Sequence, residues 1–414
     1  MGERFHTTGS TTLREESILT SSFSVAATIE EVPHRQREPE ILALTPFYPS
    51  AQCPSQGRFV SDPIGRMKDV GVSNQTIAVQ PFYRGHARSA EHIPANWMRH
   101  FSVPGNCGLP SAGEFLAAHL MRTLRQRSFG PFDLIHAHAA LPCGHAAEIL
   151  SNRLSIPFVV TVHGRDAFFI RQTGPVVSRW CCRVAKNVYR RARRVICISE
   201  KVRSEVLNEV QANTVVVYNG VDPEFFSPAP ESHSRQIVLS VGNLTPTKRH
   251  ALLLRAFARI ALSVPNCFLE IIGDGPERAT LIRLADELRI ANRVQFAGRQ
   301  SRDCVANAMR RCSVFALPSS YEGLGCVYLE AMACAKSVIG CWGQGIDEVI
   351  EHAKTGLLVA PENEDELTES LQMLLQNEEL RRRMGAAARN LVLQKFTLDH
   401  QAQSLAQIYR ECIA

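Results

Sequence analysis

Residues 313–340 read SVFALPSSYEGLGCVYLEAMACAKSVIG. Ser313–Leu317 and Ser337–Gly340 are short apolar runs with strand character, and Val327–Ala335 between them has helical spacing. Gly323–Leu324–Gly325 breaks the chain just ahead of that helix. Strand, glycine loop, helix and strand form a βαβ unit, the repeating piece of a parallel sheet. Both strands are apolar without alternation, as strands covered on both faces are.

The same alternation extends outward. Upstream, Ile237–Val241, Cys267–Ile272 and Arg293–Phe296 read as strands, with helices at Arg249–Leu262 and Ala279–Leu288. Downstream come helices at Glu364–Gln376 and Glu379–Val392, then a last one from about Leu398 to Cys412. A second series precedes residue 227: strands at Ile41–Thr45, Thr76–Gln80, Asp133–His136, Phe158–Val162, Arg194–Ile198 and Thr214–Tyr218, with helices at Gly113–Arg127 and Val177–Arg193. The Pro- and Ser-rich segment 227–236 separates the two series. The expected fold is α/β, with two tandem Rossmann-like domains, 39–226 and 237–396, and a cleft between them. Helix 397–414 is expected to return to the first domain, and 1–38 reads as a loose leader.

The chain has 414 residues, which suits two domains. A hydrophobic share of 45% and a charged share of 21% exclude wholesale disorder and fibrous architectures. No run of 18 apolar residues marks a membrane span, and no secretion signal is legible, so a cytoplasmic protein is expected. The 13 cysteines lack any CxxC or zinc-like spacing and read as reduced thiols.

Several chemistries lose their signatures. There is no GxxxxGK[ST], and none of the GxG triplets at 273, 323 and 343 extends to GxGxxG. HExxH and GxSxG are also absent. What remains is the spacing Glu322–x7–Glu330 around the glycine loop. A helix start offers unpaired N–H groups to a phosphate, and glycines let a diphosphate approach the main chain. Two carboxylates nearby can accept hydrogen bonds from sugar and ribose hydroxyls.

Glu322–x7–Glu330 in this setting resembles the signature of family-4 retaining glycosyltransferases, which have the two-Rossmann-domain GT-B fold. Other segments match in order: Val217–Asp222 (VYNGVD), Val241–Lys248 (VGNLTPTK), Ile271–Pro276 (IIGDGP), and Gly343–Ile350 (GQGIDEVI) with Thr355–Val359 (TGLLV). In the first half, Thr161–Gly164 (TVHG), His136–His138 and the Gly57 loop after Pro46–Pro49 also fit.

The resemblance implies a nucleotide-diphosphate sugar as donor, a glycan or lipid-linked acceptor, retention at the anomeric carbon, and no cofactor or metal. Lys248 would reach the diphosphate, a point charge suited to phosphate oxygens. Asn243 stands where the family often has Arg, with Arg249 as a neighbouring cation. Glu330 would bind ribose and Glu322 the donor sugar. Backbone groups of Gly323, Leu324, Gly325, Cys326 and Val327 would add to phosphate binding, and Gly345 to the sugar pocket. Gly298 and Arg299 would lie near the base, and Gly57 near the donor. His163 would face the transferred sugar; Asp166 would orient the chain there. His136 and His138 are read as turned to different sides of their strand, with His138 toward the cleft.

Net charge is +6, too weak to imply nucleic acid. Between Asp166 and Glu200 no acidic residue occurs, while Arg179, Arg183, Lys186, Arg190 and Arg194 accumulate. The helix over 177–194 reads either as a domain helix with a solvated basic face or as a peripheral attachment to anionic lipid. Rival readings on the same fold are a nucleotide-sugar epimerase, a phosphorylase, and a catalytically weak partner subunit.

Overall fold

The computed structural model describes residues 37–83, 88–89, 95–102, 109–126, 130–164, 175–229 and 235–414. Most of the leader 1–38, Asp166, and residues 230–234 of the Pro- and Ser-rich segment lie outside them.

The first half contains strands β1 (Glu40–Thr45), β2 (Ser73–Pro81), β3 (Asn96–His100), β4 (Leu134–His138), β5 (Phe158–Val162), β6 (Arg194–Cys197) and β7 (Thr214–Val216). Its helices are α1 (Arg58–Gly65), α2 (Leu109–Gln126), α3 (His145–Leu154), α4 (Pro175–Arg191) and α5 (Glu200–Glu209). The strands form one sheet, ordered β3-β2-β1-β4-β5-β6-β7 and parallel throughout.

The second half contains β8 (Gln236–Val241), α6 (His250–Ile260), β9 (Cys267–Ile272), α7 (Arg278–Glu287), β10 (Val294–Gly298), α8 (Arg302–Arg311), β11 (Val314–Ala316), α9 (Cys326–Ala333), β12 (Ser337–Cys341), β13 (Leu357–Val359), α10 (Glu364–Gln376), α11 (Glu378–Lys395) and α12 (Leu398–Ile413). Its sheet runs β10-β9-β8-β11-β12-β13, again parallel. Each strand order reverses once, beside β1 and β8. That is the doubly wound pattern, in which ligands bind where the order reverses, outside the carboxyl ends of the strands.

Side-chain alternation divides each strand between two covers. On one face of the first sheet, Leu42, Ile135 and Val160 pack with Leu116 and Leu120 of α2 and Val188 of α4. On the other face, Ile41, Leu134, Val159 and Ile196 lie under Ala402, Leu405 and Tyr409 of α12. The last helix of the chain thus completes the core of the first half.

Some elements depart from expectation. β3 carries Asn, Arg and His, and α1 is eight residues with Pro63 inside, so neither shows a clear period. α6 starts one residue late because Arg249 takes a left-handed conformation, φ 55°. No described helix is long and apolar enough to cross a membrane.

Candidate functional site

The two sheets end on one cavity of about 590 Å³. The first half supplies Gly57 and Phe59 after β1, His163 after β5 and Asn219 after β7. The second supplies Asn243 and Lys248 after β8, Arg299 after β10, and Glu322–Gly325 after β11. Cys326, Val327 and Glu330 of α9 complete this wall. Twelve of the expected residues therefore meet there: Gly57, His163, Asn243, Lys248, Arg299, Glu322, Gly323, Leu324, Gly325, Cys326, Val327 and Glu330.

Four expected residues do not line the cavity. Arg249 turns away and pairs with Glu362. Gly298 ends β10 in a left-handed turn, φ 69°, one residue before Arg299. Gly345 stands behind the Glu322 loop, donating its N–H to the Glu322 carbonyl at 3.0 Å. A Cβ on it would lie 1.8 Å from the Gly323 carbonyl oxygen, so only glycine allows this approach. His138 lies behind His163, its Nδ1 3.0 Å from His163 Nε2. The expectation about His136 and His138 was wrong. Residues two apart on a strand share a face, and the two rings sit 4.3 Å apart.

The Glu322 loop is held on several sides. The Glu322 N–H donates to Gln344 Oε1 at 3.1 Å, and Lys248 Nζ meets Glu322 Oε2 at 2.5 Å. Gly325, at φ 85°, is the N-cap of α9, a left-handed turn that brings Cys326 and Val327 to the cavity wall. The unpaired first-turn amides of a helix carry partial positive charge. Beneath them Tyr328 is fully buried, its hydroxyl donating to the Leu317 carbonyl. The glycine-rich wall thus rests on an aromatic base.

Glu330 sits deeper, one turn on. Burial raises its pKa to about 7; Arg302 opposes this and Asp62 adds to it. Burial likewise pushes the Cys326 thiol up to about 12, so it is no nucleophile at neutral pH. On the opposite side His163 lines the wall, and His138 and His136 adjoin it from behind. His136 Nδ1 and Nε2 each lie 2.7 Å from a hydroxyl, of Tyr409 and Thr161 respectively. Burial lowers the pKa of His136 and of His163 to about 3, and that of His138 well below the ordinary value. All three are neutral at pH 7. His163 is also packed by the Phe59 ring at 4.8 Å.

Comparison with known proteins assigns the family and the fold. Residues 221–391 match the model of the group 1 glycosyl transferases, and residues 74–225 that of glycosyltransferase family 4. The N-acetyl-alpha-D-glucosaminyl L-malate synthase of Bacillus anthracis is 30% identical over 296 residues, 68% of this chain and 75% of that one. The chain belongs to the family-4 glycosyltransferases. Two solved structures share its GT-B fold. The sucrose-phosphate synthase of Thermosynechococcus elongatus superposes at TM-score 0.75 with 21% identity, covering 90% of this chain and 98% of its own. Anabaena HepE in complex with UDP-glucose superposes at 0.71 with 21% identity, covering 90% and 99%.

This family-4 glycosyltransferase also brings to its cavity residues that sequence reasoning did not single out. Arg302, at the start of α8, reaches Asp62 of α1 at 2.8 Å and lies 4.4 Å from the centre of the Phe225 ring. Ser301 places it, capping α8 by accepting the Cys304 N–H. Asn219, in the VYNGVD segment, donates to Cys326 Sγ at 3.3 Å and accepts from Gln401 Nε2 of α12 at 3.3 Å. The Ser-x-x-Cys cap was legible locally; the partners of Arg302 and Asn219 are remote in sequence and were not.

Proposed function

We propose that the enzyme transfers a hexosyl unit from a nucleotide-diphosphate sugar to a glycan or lipid-linked acceptor, with retention at the anomeric carbon. One observation carries this reading: Lys248, the N-terminus of α9 and Glu330 line a single cavity. Its volume lies within the usual range for small-molecule sites, roughly 300–1,000 Å³. A cation beside helix amides suits a diphosphate, and a deeper carboxylate suits a pair of ribose hydroxyls. The UDP-glucose bound in HepE supports a nucleotide-sugar donor.

In this reading Lys248 and the amides of Leu324–Val327 take the diphosphate, with Asn243 adding a neutral donor. As the leaving phosphate gains charge, these contacts strengthen and lower the barrier, and no metal is required. Glu322, held by Lys248, accepts from the donor sugar. His163, neutral at pH 7, hydrogen-bonds a sugar hydroxyl from the opposite wall. Glu322 and Glu330 belong to one loop-helix unit, so they do not flank the scissile bond as the carboxylates of retaining hydrolases do. The departing phosphate is the base that this arrangement leaves for the acceptor. Work at a lipid-linked acceptor would use α4, whose exposed Val176 and Trp180 accompany its arginines.

Calorimetry against UDP-, GDP- and ADP-sugars tests this reading. Binding of one donor, lost in Lys248→Ala and Glu330→Ala, is the expected result. A folded protein that binds none of them refutes it.

A further inference from the structure

The segment Gly343–Ile350 holds a carboxylate that the donor cavity leaves unused. Glu348 does not reach the cavity; it points to the first half. Its two oxygens accept the N–H groups of Glu200 and Lys201, each at 2.7 Å, and Tyr218 donates to it at 3.0 Å. Glu200 and Lys201 form the first turn of α5. A carboxylate from the second half therefore caps a helix of the first half, with both charge and hydrogen bonds matched to the helix N-terminus.

Two further contacts converge on the same turn. Ser199, the N-cap of α5 and fully buried, donates its hydroxyl to the Gly323 carbonyl at 2.6 Å. Lys201 Nζ donates to the Gly343 carbonyl at 2.9 Å. Gly323 belongs to the loop that carries Glu322, and Gly343 begins the segment whose Gln344 and Gly345 hold that loop from behind. One helix turn of the first half thus grips both segments that shape the donor wall.

We infer that Glu348 is a positioning residue: by capping α5 it holds the two halves at the spacing at which the Glu322 loop faces His163. The inference rests on the proposed donor reading. Groups proposed to hold the donor diphosphate and ribose all lie in the second half, whereas His163 lies in the first. Losing the cap therefore leaves donor binding and removes alignment. Misplacement by about 1 Å can cost on the order of 100-fold in rate.

The test uses the full chain with Glu348→Ala, Glu348→Gln and Ser199→Ala, each checked for folding by circular dichroism. An amide in place of the carboxylate keeps the shape and loses an acceptor. In the donor-free protein, Glu348→Ala is expected to raise hydrogen exchange in 199–202 and also in 322–327, and to enlarge the radius of gyration by X-ray scattering. With donor and acceptor, kcat should fall about 100-fold while the donor Kd stays within about threefold. Ser199→Ala should act in the same direction and less than additively with Glu348→Gln. Faster exchange confined to 199–202, with unchanged scattering, would reduce Glu348 to a local helix cap and overturn the inference. Absence of donor binding in the unaltered protein would strike the functional reading alone, because exchange and scattering need no donor.

Discussion

Arg302 and Asp62 lie 2.8 Å apart across the cavity, one on α8 and the other on α1. Asp62 also lies 3.4 Å from Arg58 of its own helix, so it is shared between two guanidinium groups. Both members of the cross-cavity pair act on Glu330, in opposite directions. The pair therefore does more than hold two walls together: it adjusts, on top of the dominant effect of burial, the ionisation of the carboxylate proposed to take the ribose.

The first prediction follows from those signs. Glu330 titrates at about 7, and ionisation makes both its oxygens full acceptors for a pair of hydroxyls. Donor affinity should weaken as pH falls through about 7. Arg302→Met removes the influence that favours ionisation and should move this limb to higher pH. Asp62→Asn removes the opposing charge and should move it lower. Calorimetric titrations of donor from pH 5.5 to 8.5 read both shifts; limbs that stay together would mean that another group controls binding.

The same group has a stability consequence. Its folded pKa lies above its unfolded value of 4.5, so the folded chain holds the proton more tightly. Stability from this source is present below about 4.5 and is lost as pH rises through about 7. Glu330→Gln should therefore stabilise the donor-free protein at pH 8, by up to about 3 kcal/mol, and change little at pH 4.5. Urea unfolding at the two pH values measures the difference. Equal effects at both would place the ionised carboxylate in a better-solvated setting than its depth implies.

How much of this was legible depends on distance along the chain. Strands such as Phe158–Val162 could be read because buried parallel strands are continuous apolar runs. Glu322, Glu330 and the glycines between them sit on one βαβ unit, so local spacing was enough to select them. Lys248 followed from the resemblance, and its pairing with Glu322 came only from the fold. Arg302 and Asp62 lie on helices of different halves and carry no local pattern; each looks like an ordinary surface charge. Arg249 shows the converse, since being next to Lys248 in sequence says nothing about direction once the backbone turns left-handed. The capping role of Glu348 was equally hidden, because the motif that contains it gives no hint of a partner in the other half.

His163 and the two histidines behind it predict acid sensitivity. Burial holds His136 and His163 near 3 and His138 well below the ordinary 6.5. Each folded value lies below the unfolded one, so the unfolded chain takes up protons first. Stability is full above about 6.5 and falls as pH drops toward 3, opposite in sign to the Glu330 effect. His138→Asn, whose amide can replace Nδ1 toward His163, should make the stability–pH slope shallower by about 1.4 kcal/mol per pH unit between pH 6 and 4. Urea midpoints across that range supply the slope, and a slope unchanged from the parent would mean that His138 already accepts a proton in the folded state.

Two glycines two residues apart offer the sharpest contrast. At Gly345 an added Cβ would lie 1.8 Å from the Gly323 carbonyl oxygen, a backbone atom that cannot rotate away. Gly345→Ala must push the Glu322 loop toward the cavity and break the 3.0 Å bond to the Glu322 carbonyl. At Gly343 nothing lies within 4 Å of an added Cβ, and the cost is the left-handed backbone at φ 71°, roughly 1–2 kcal/mol. Gly343→Ala should lower thermal stability slightly and leave donor affinity near that of the parent. Gly345→Ala should lose donor binding by at least about tenfold, the equivalent of about 1.4 kcal/mol. Donor titration of both variants at one temperature separates a displaced loop from a strained turn. Equal affinities in the two would show that the Glu322 loop can absorb the shift, and that its present position is not what donor binding requires.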